Sequence, residues 1–242
     1  MDATRQIRDF KRTRDFKLIL WDIDGTLMHC GSDGRLALNR TFRERYGIED
    51  AFDAAPIGGA MDSIVLRNIL DTYQIKHDDL DAVIDHYSDV LAEILAANSH
   101  KRVLPGIRSI LEAVDRHPQR VNALLTSNLK IGARTKLRSV GLDGFFELGG
   151  FGDRPGEKWD AAKLCIEEAE TRYKNRFAPN DIILIGDSCY DVICAKELGV
   201  CSIAVATGWA DAADLMRCDP DHFFSNLGDT KRVLDILGIK TE

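Results

Sequence analysis

Apolar residues along the chain come in short blocks separated by amphipathic stretches. The run KLILW at positions 17–21 stops abruptly at Asp22, the pattern of a buried strand that delivers a polar loop. Comparable runs recur at 121–125, 145–148, 182–185 and 201–206. Between them, positions 107–114, 132–140, 158–172 and 192–198 carry helical spacing, and Gly199 supplies a stop for the last. Strands alternating with helices predict an α/β fold, a Rossmann-like parallel sheet core covered on both faces. In such sheets functional groups gather at the carboxyl ends of the strands.

One stretch breaks the alternation. From about His29 to Arg102 the pattern is helical, without strand runs between the helices. Leu80, Val83, Ile84, Tyr87, Leu91, Ile94 and Leu95 recur at three- and four-residue spacing and form one apolar stripe. Positions 35–46 and 62–73 also read as helices, with Gly47 closing the first and Gly58-Gly59 preceding the second. The chain leaves the sheet after its first strand and rejoins it near Leu104-Pro105-Gly106, which predicts an inserted helical cap domain. The expected division is core 1–28, cap 29–103 and core 104–242. A helical insertion filling out one core is the plainer alternative.

Composition narrows the class. The 242 residues carry 32 Lys and Arg against 39 Asp and Glu, a formal charge of −7, with 45% hydrophobic and 29% charged residues. That balance disfavours a nucleic-acid partner, which needs clustered positive charge, and also disfavours disorder. No apolar stretch approaches the ~20 residues that span a bilayer, so no membrane partner is expected. The opening residues lack the apolar core of a signal peptide and contain Asp2, Asp9 and Asp15. The six cysteines are irregularly spaced, without a C-x-x-C pair, and are expected as reduced thiols in a cytoplasmic protein. Oligomeric state is not legible.

Two acidic segments carry the chemistry. Asp22-Ile23-Asp24-Gly25-Thr26 follows the first strand, and extended backbone would place Asp22 and Asp24 on one face at roughly 6 to 7 Å. Alone, this could be an ordinary Asp-Gly turn. A second apolar run ends in Gly186-Asp187, and a helix starting there sets Asp191 about one turn beyond Asp187. Asp191 would also suit a helix start. Four carboxylates from two strand ends, Asp22, Asp24, Asp187 and Asp191, require a cation, and hard oxygen donors favour Mg2+. Thr126, Ser127 and Asn128 end another strand, where they can donate to an anion or cap the next helix. Lys158 can bring positive charge to a phosphoryl group, and Arg154 lies nearby in the sequence.

These residues resemble a known family. The Asp22-x-Asp24-Gly25-Thr26 run, Thr126, Lys158 and Gly186-Asp187-x-x-x-Asp191 stand in the order of the four motifs of the haloacid dehalogenase (HAD) superfamily. The similarity runs from Leu18 to about Gly208, with a helical insertion between the first two motifs, and resembles the phosphoglycolate-phosphatase-like branch. The resemblance implies Asp22 as nucleophile, forming an aspartyl-phosphate, and Asp24 as acid and base. It implies that Thr126 and Lys158, with Ser127 and Asn128 beside them, hold the phosphoryl oxygens. It further implies that Asp22, the Asp24 main-chain carbonyl and Asp187 bind Mg2+, with Asp191 a direct or indirect partner. Many relatives carry proline after the lysine, whereas Trp159 follows Lys158 here.

Asp24 separates the chemistries within the family, because displacing a halide needs no protonated leaving oxygen whereas a phosphate ester does. The expected activity is Mg2+-dependent hydrolysis of a small phosphorylated metabolite, with a cap that closes over the site. Arg35 and the Gly58-Gly59 loop are candidate cap-side contacts. A sugar phosphomutase on the same scaffold, and a phospho-acceptor signalling module without turnover, are the alternatives.

Overall fold

The computed structural model describes residues 15–54 and 59–240. Its centre is a six-stranded sheet built from β1 (Lys17–Trp21), β4 (Arg120–Leu125), β5 (Leu148–Gly150), β6 (Ile182–Gly186), β7 (Cys201–Val205) and β8 (His222–Phe224). The order is β5-β4-β1-β6-β7-β8, and every pairing is parallel. β1 is therefore central, and its alternation splits between the two faces. Ile19 and Trp21 join one buried cluster with Ile183 and Ile185; Leu18 and Leu20 join the other with Ile182 and Leu184. Burial on both faces explains why these strands read as continuous apolar runs.

Helices cover both sides. α4 (Ile107–Arg116), α5 (Lys130–Ser139) and α9 (Thr230–Ile236) pack on the first face. α6 (Lys158–Tyr173) and α7 (Cys189–Leu198) pack on the second, through small residues such as Ala161, Ala162, Cys165, Ala169, Cys194 and Ala195. α8 (Ala212–Arg217) lies near β7 through Leu215.

The insertion leaves and returns through a two-stranded antiparallel stem, β2 (Met28–His29) with β3 (Arg102–Val103). Between these lie α1 (Asp33–Tyr46), α2 (Asp62–Thr72) and α3 (Leu80–Ala97). The stripe along α3 buries Val83, Tyr87, Leu91 and Leu95, together with Val90, against α1 and α5. The apolar interior of these helices is continuous with the cluster on the first sheet face. Gly58, the first residue of the expected Gly58-Gly59 turn, lies outside the described residues.

Two expectations need correction, and one strand falls outside the pattern. The run at 145–148 is not a strand: residues Asp143–Phe145 form a helical turn, and pairing with β4 begins at Leu148. β8 escapes the pattern because it is only three residues long. The cysteines are not all free thiols, because Cys189 at the start of α7 is disulfide-bonded to Cys218 just after α8. Their Cα atoms lie 5.8 Å apart, a proximity that a sequence separation of 29 conceals. Cys30, Cys165, Cys194 and Cys201 are free. No described helix is long and apolar enough to cross a membrane.

Candidate active site

Register places the site. Trp21 lies opposite Leu124 on one side and Ile185 on the other. The residues just beyond these, Asp22, Thr126 and Asp187, therefore emerge together at the carboxyl edge. The Asp22 N–H donates to the Ile185 carbonyl at 2.9 Å, which holds the first residue past β1 against β6. Gly25 then turns the chain at φ +81°, and its N–H donates to the Met28 carbonyl.

The carboxylates of Asp22, Asp187 and Asp191 bring oxygens within 4.8 Å of one another, and all three residues are buried. Asp191 also serves the helix start: its Oδ2 accepts the Ser188 N–H at 3.0 Å, in a reciprocal cap with the Ser188 hydroxyl. The helix-start reading of Asp191 thus holds through Oδ2, while its Oδ1 faces the carboxylate cluster. Its Oδ1 accepts from the Lys158 ammonium at 2.6 Å, and Lys158 also reaches Asp22 Oδ1 at 2.8 Å. Gly186 is required for this approach, because a Cβ there would collide with the Asp191 carboxylate.

Lys158 is the first residue of α6, where a cation opposes the helix dipole. Its two aspartate partners account for its presence: burial disfavours its charge, but Asp191 and Asp22 outweigh burial and hold the ammonium protonated. Arg154, the alternative cation, is exposed on the loop before α6.

With all three carboxylates ionised, they and Lys158 sum to −2, a charge that a divalent cation balances. Burial pushes the Asp22 carboxyl up to about 7, against the pull of Lys158. Burial, then the charges of Asp22 and Asp191, push Asp187 up to about 8, and the Thr26 hydroxyl, donating to Asp187 at 3.2 Å, only partly opposes this. Crowded carboxylates with raised proton affinity, offering oxygen alone, fit a hard divalent metal.

Asp24 stands apart from this cluster. Its carboxylate Oδ2 accepts from Lys136 Nζ at 2.6 Å and from Asn128 Nδ2 at 2.7 Å. The same amide group donates to Thr126 Oγ1 at 2.7 Å, and Asn128 Oδ1 accepts from Lys136 at 2.7 Å. Burial opposes ionisation of Asp24, yet Lys136 and Asn128 prevail and set its carboxyl below the ordinary value. The strand ends at Trp21, and each carboxylate of the Asp22–Asp24 pair has its own lysine, while the charge of Asp24 still acts on Asp22.

Thr126 is fully buried beside Asn128, whereas the Ser127 hydroxyl turns toward the Gly59 carbonyl at 3.5 Å. A cavity of about 300 Å³ opens between Asp24 and the inserted helices, lined among others by Arg35, Asp62, Tyr87, Asn128 and Lys136. Arg35 lies at its edge, ion-paired with Asp53. Burial raises the Asp62 carboxyl to about 6, although Lys136 pulls the other way.

Two participants lie outside the roles that the sequence assigns. The Thr26 hydroxyl donates to Asp187. The Lys136 ammonium donates to Asp24. The signal was present: Leu129, Gly132, Ala133, Lys136 and Leu137 are the buried positions of one helical stripe, and a lysine on such a stripe calls for a buried partner.

A family model described as haloacid dehalogenase-like hydrolase matches residues 19–205. Phosphoglycolate phosphatase of Chromobacterium violaceum is 27% identical over 214 residues, covering 84% of this chain and 90% of the relative. The Aquifex aeolicus phosphoglycolate phosphatase is 23% identical and covers 90% and 97%. Among solved structures, CbbY from Rhodobacter sphaeroides in complex with phosphate superposes with a TM-score of 0.67 at 17% identity, over 88% of this chain and 96% of that one. A predicted phosphoglycolate phosphatase of Haemophilus somnus gives 0.65 at 20% identity, over 91% and 99%; at such identities the likeness concerns the fold. With the family model spanning all four motif segments, the chain belongs to the haloacid dehalogenase-like hydrolases.

Proposed function

We propose that the protein is a Mg2+-dependent phosphatase acting on a small phosphate monoester, of the kind its phosphoglycolate phosphatase relatives are named for. The observation that carries this reading is the Asp22–Lys158–Asp191 arrangement beside Asp187. It combines a strand-end nucleophile, a buried cation and a metal-binding oxygen set in one place. Asp22, Asp187, Asp191 and the Asp24 main-chain carbonyl would hold the ion. When bound, Mg2+ would offset the phosphoryl charge and keep Asp22 ionised.

Asp22 attacks phosphorus and the ester P–O bond breaks, leaving an aspartyl-phosphate. Asp24 donates its proton to the departing alkoxide oxygen. Water then gives a proton back to Asp24 as its oxygen attacks phosphorus, breaking the bond to Asp22 and releasing inorganic phosphate. In the free protein Lys136 keeps Asp24 ionised; an arriving phosphate dianion adds negative charge beside it and raises its proton affinity. Thr126 and Lys158 hold the phosphoryl oxygens, with Ser127 and Asn128 on the cavity side. The insertion, residues 29–103, serves as the cap over the leaving group, between core segments 1–28 and 104–242.

The test is inorganic phosphate release from a panel of monoesters with Mg2+. The Asp22→Asn variant is expected to lose at least about 10³-fold in turnover. Comparable turnover in the variant ends the nucleophile assignment, and isomerisation of a sugar phosphate without phosphate release selects the mutase instead.

A further inference from the structure

We infer that Lys136 is a positioning residue that holds Asp24 toward the leaving-group cavity and away from the metal-binding carboxylates. The inference rests on the phosphatase reading and concerns a residue outside the four motif segments.

Lys136 is 4% exposed and sits in the apolar stripe of α5, where an unpaired ammonium would be strongly unfavourable. Two of its contacts are short and polar, to Asp24 Oδ2 and Asn128 Oδ1. Asn128 in turn binds Asp24 and Thr126, so Lys136, Asn128 and Asp24 close a three-membered ring of hydrogen bonds. The two lysines thereby divide the acidic groups. Lys158 serves Asp22 and Asp191; Lys136 serves Asp24. Without Lys136, the charge of Asp24 would be left to one amide and a weak thiol contact from Cys30 at 3.6 Å.

The surroundings place this ring against the inserted helices. A Cβ on Gly34, in the first turn of α1, would lie 3.5 Å from Lys136 Nζ and 3.7 Å from the Tyr87 hydroxyl of α3. The Lys136 ammonium therefore lies where the insertion meets Asp24, and it lines the cavity that would take the departing alcohol. A residue that orients Asp24 there affects leaving-group departure more than phosphate binding.

The test compares 2-phosphoglycolate, an alkyl ester with a poor leaving group, with p-nitrophenyl phosphate, whose leaving group needs little protonation. For Lys136→Met, kcat on the alkyl ester is expected to fall about 10²-fold with KM changed less than about threefold, while the aryl ester loses less than about tenfold. Lys136→Gln, which keeps hydrogen-bonding capacity without the charge, is expected to fall between the wild type and Lys136→Met on the alkyl ester. If Lys136→Met fails to fold, Lys136→Gln carries the same comparison with the wild type. Equal losses on both esters, an unchanged kcat, or failure of both variants to fold overturns the positioning role. A wild-type protein that releases phosphate from no ester of the panel overturns the phosphatase reading and this inference with it, whereas equal losses in an active enzyme overturn the inference alone.

Discussion

A Cβ on Gly208 would collide with Oδ2 of Asp187, so the loop after β7 closes on the carboxylate cluster only because position 208 has no side chain. The adjacent Thr207 hydroxyl donates to the Gly25 carbonyl at 2.6 Å and ties that loop to the turn after β1. Gly208→Ala is expected to displace Asp187 and weaken metal binding about 10- to 100-fold while the sheet persists. Calorimetric titration with Mg2+, alongside circular dichroism, measures both. Unchanged affinity would show that the loop yields without disturbing Asp187.

The pairing of Asp24 with Lys136 and Asn128, outside the Asp22–Asp187–Asp191 cluster, predicts a leaving-group signature for the proposed reaction. Asp24→Asn is expected to slow alkyl phosphates by about 10²- to 10⁴-fold and aryl phosphates much less, because only the former depend on a proton from residue 24. Steady-state kinetics across esters of graded leaving-group pKa reads this as a steeper dependence in the variant. Parallel lines would remove Asp24 from the acid role.

The carboxylate cluster makes stability depend on pH in a stated direction. Burial raises the Asp22 and Asp187 carboxyls to about 7 and about 8 in the folded chain, above the ordinary 3.8. Between those limits the folded state binds more protons than the unfolded chain, so their contribution falls as pH rises toward 8. Metal binds the ionised form, so its stabilisation grows over the same range. Added Mg2+ is expected to raise Tm more at pH 8 than at pH 6, by several degrees. Asp187→Asn is expected to flatten the difference. An equal Mg2+ shift at both pH values in the wild type would contradict this linkage.

The Cys189–Cys218 bond is directly countable. Denatured without reductant, the protein is expected to titrate four thiols, those of Cys30, Cys165, Cys194 and Cys201, and six after reduction. Six thiols before reduction would show that the pair is open in the purified chain. That result would match a reducing compartment.

The amphipathic blocks were sufficient for the architecture, because burial on both faces leaves continuous apolar runs and the covering helices leave 3.6-residue stripes. Those signals are local, and β1, β4, β6, β7 and the helices of the insertion follow them to within a few residues. The failures are local too: β5 begins three residues late behind a helical turn, and β8 is too short to leave a pattern. The motif segments place Asp22, Thr126 and Asp187 just past strands that share one edge, and Lys158 and Asp191 in the first turns of α6 and α7.

Which of these side chains meet was decided only in three dimensions. Lys158 and Asp22 are 136 residues apart in the chain, and Lys136 and Asp24 are 112 apart; each is joined by the register of β1 between β4 and β6 and by the helices that follow. Sequence spacing carries no charge map, so it could not divide the acidic residues between two lysines, name the partner of Lys136, or pair Cys189 with Cys218. A buried ammonium or carboxylate takes its partner from whatever the fold brings within hydrogen-bonding reach, and that proximity belongs to the folded chain as a whole.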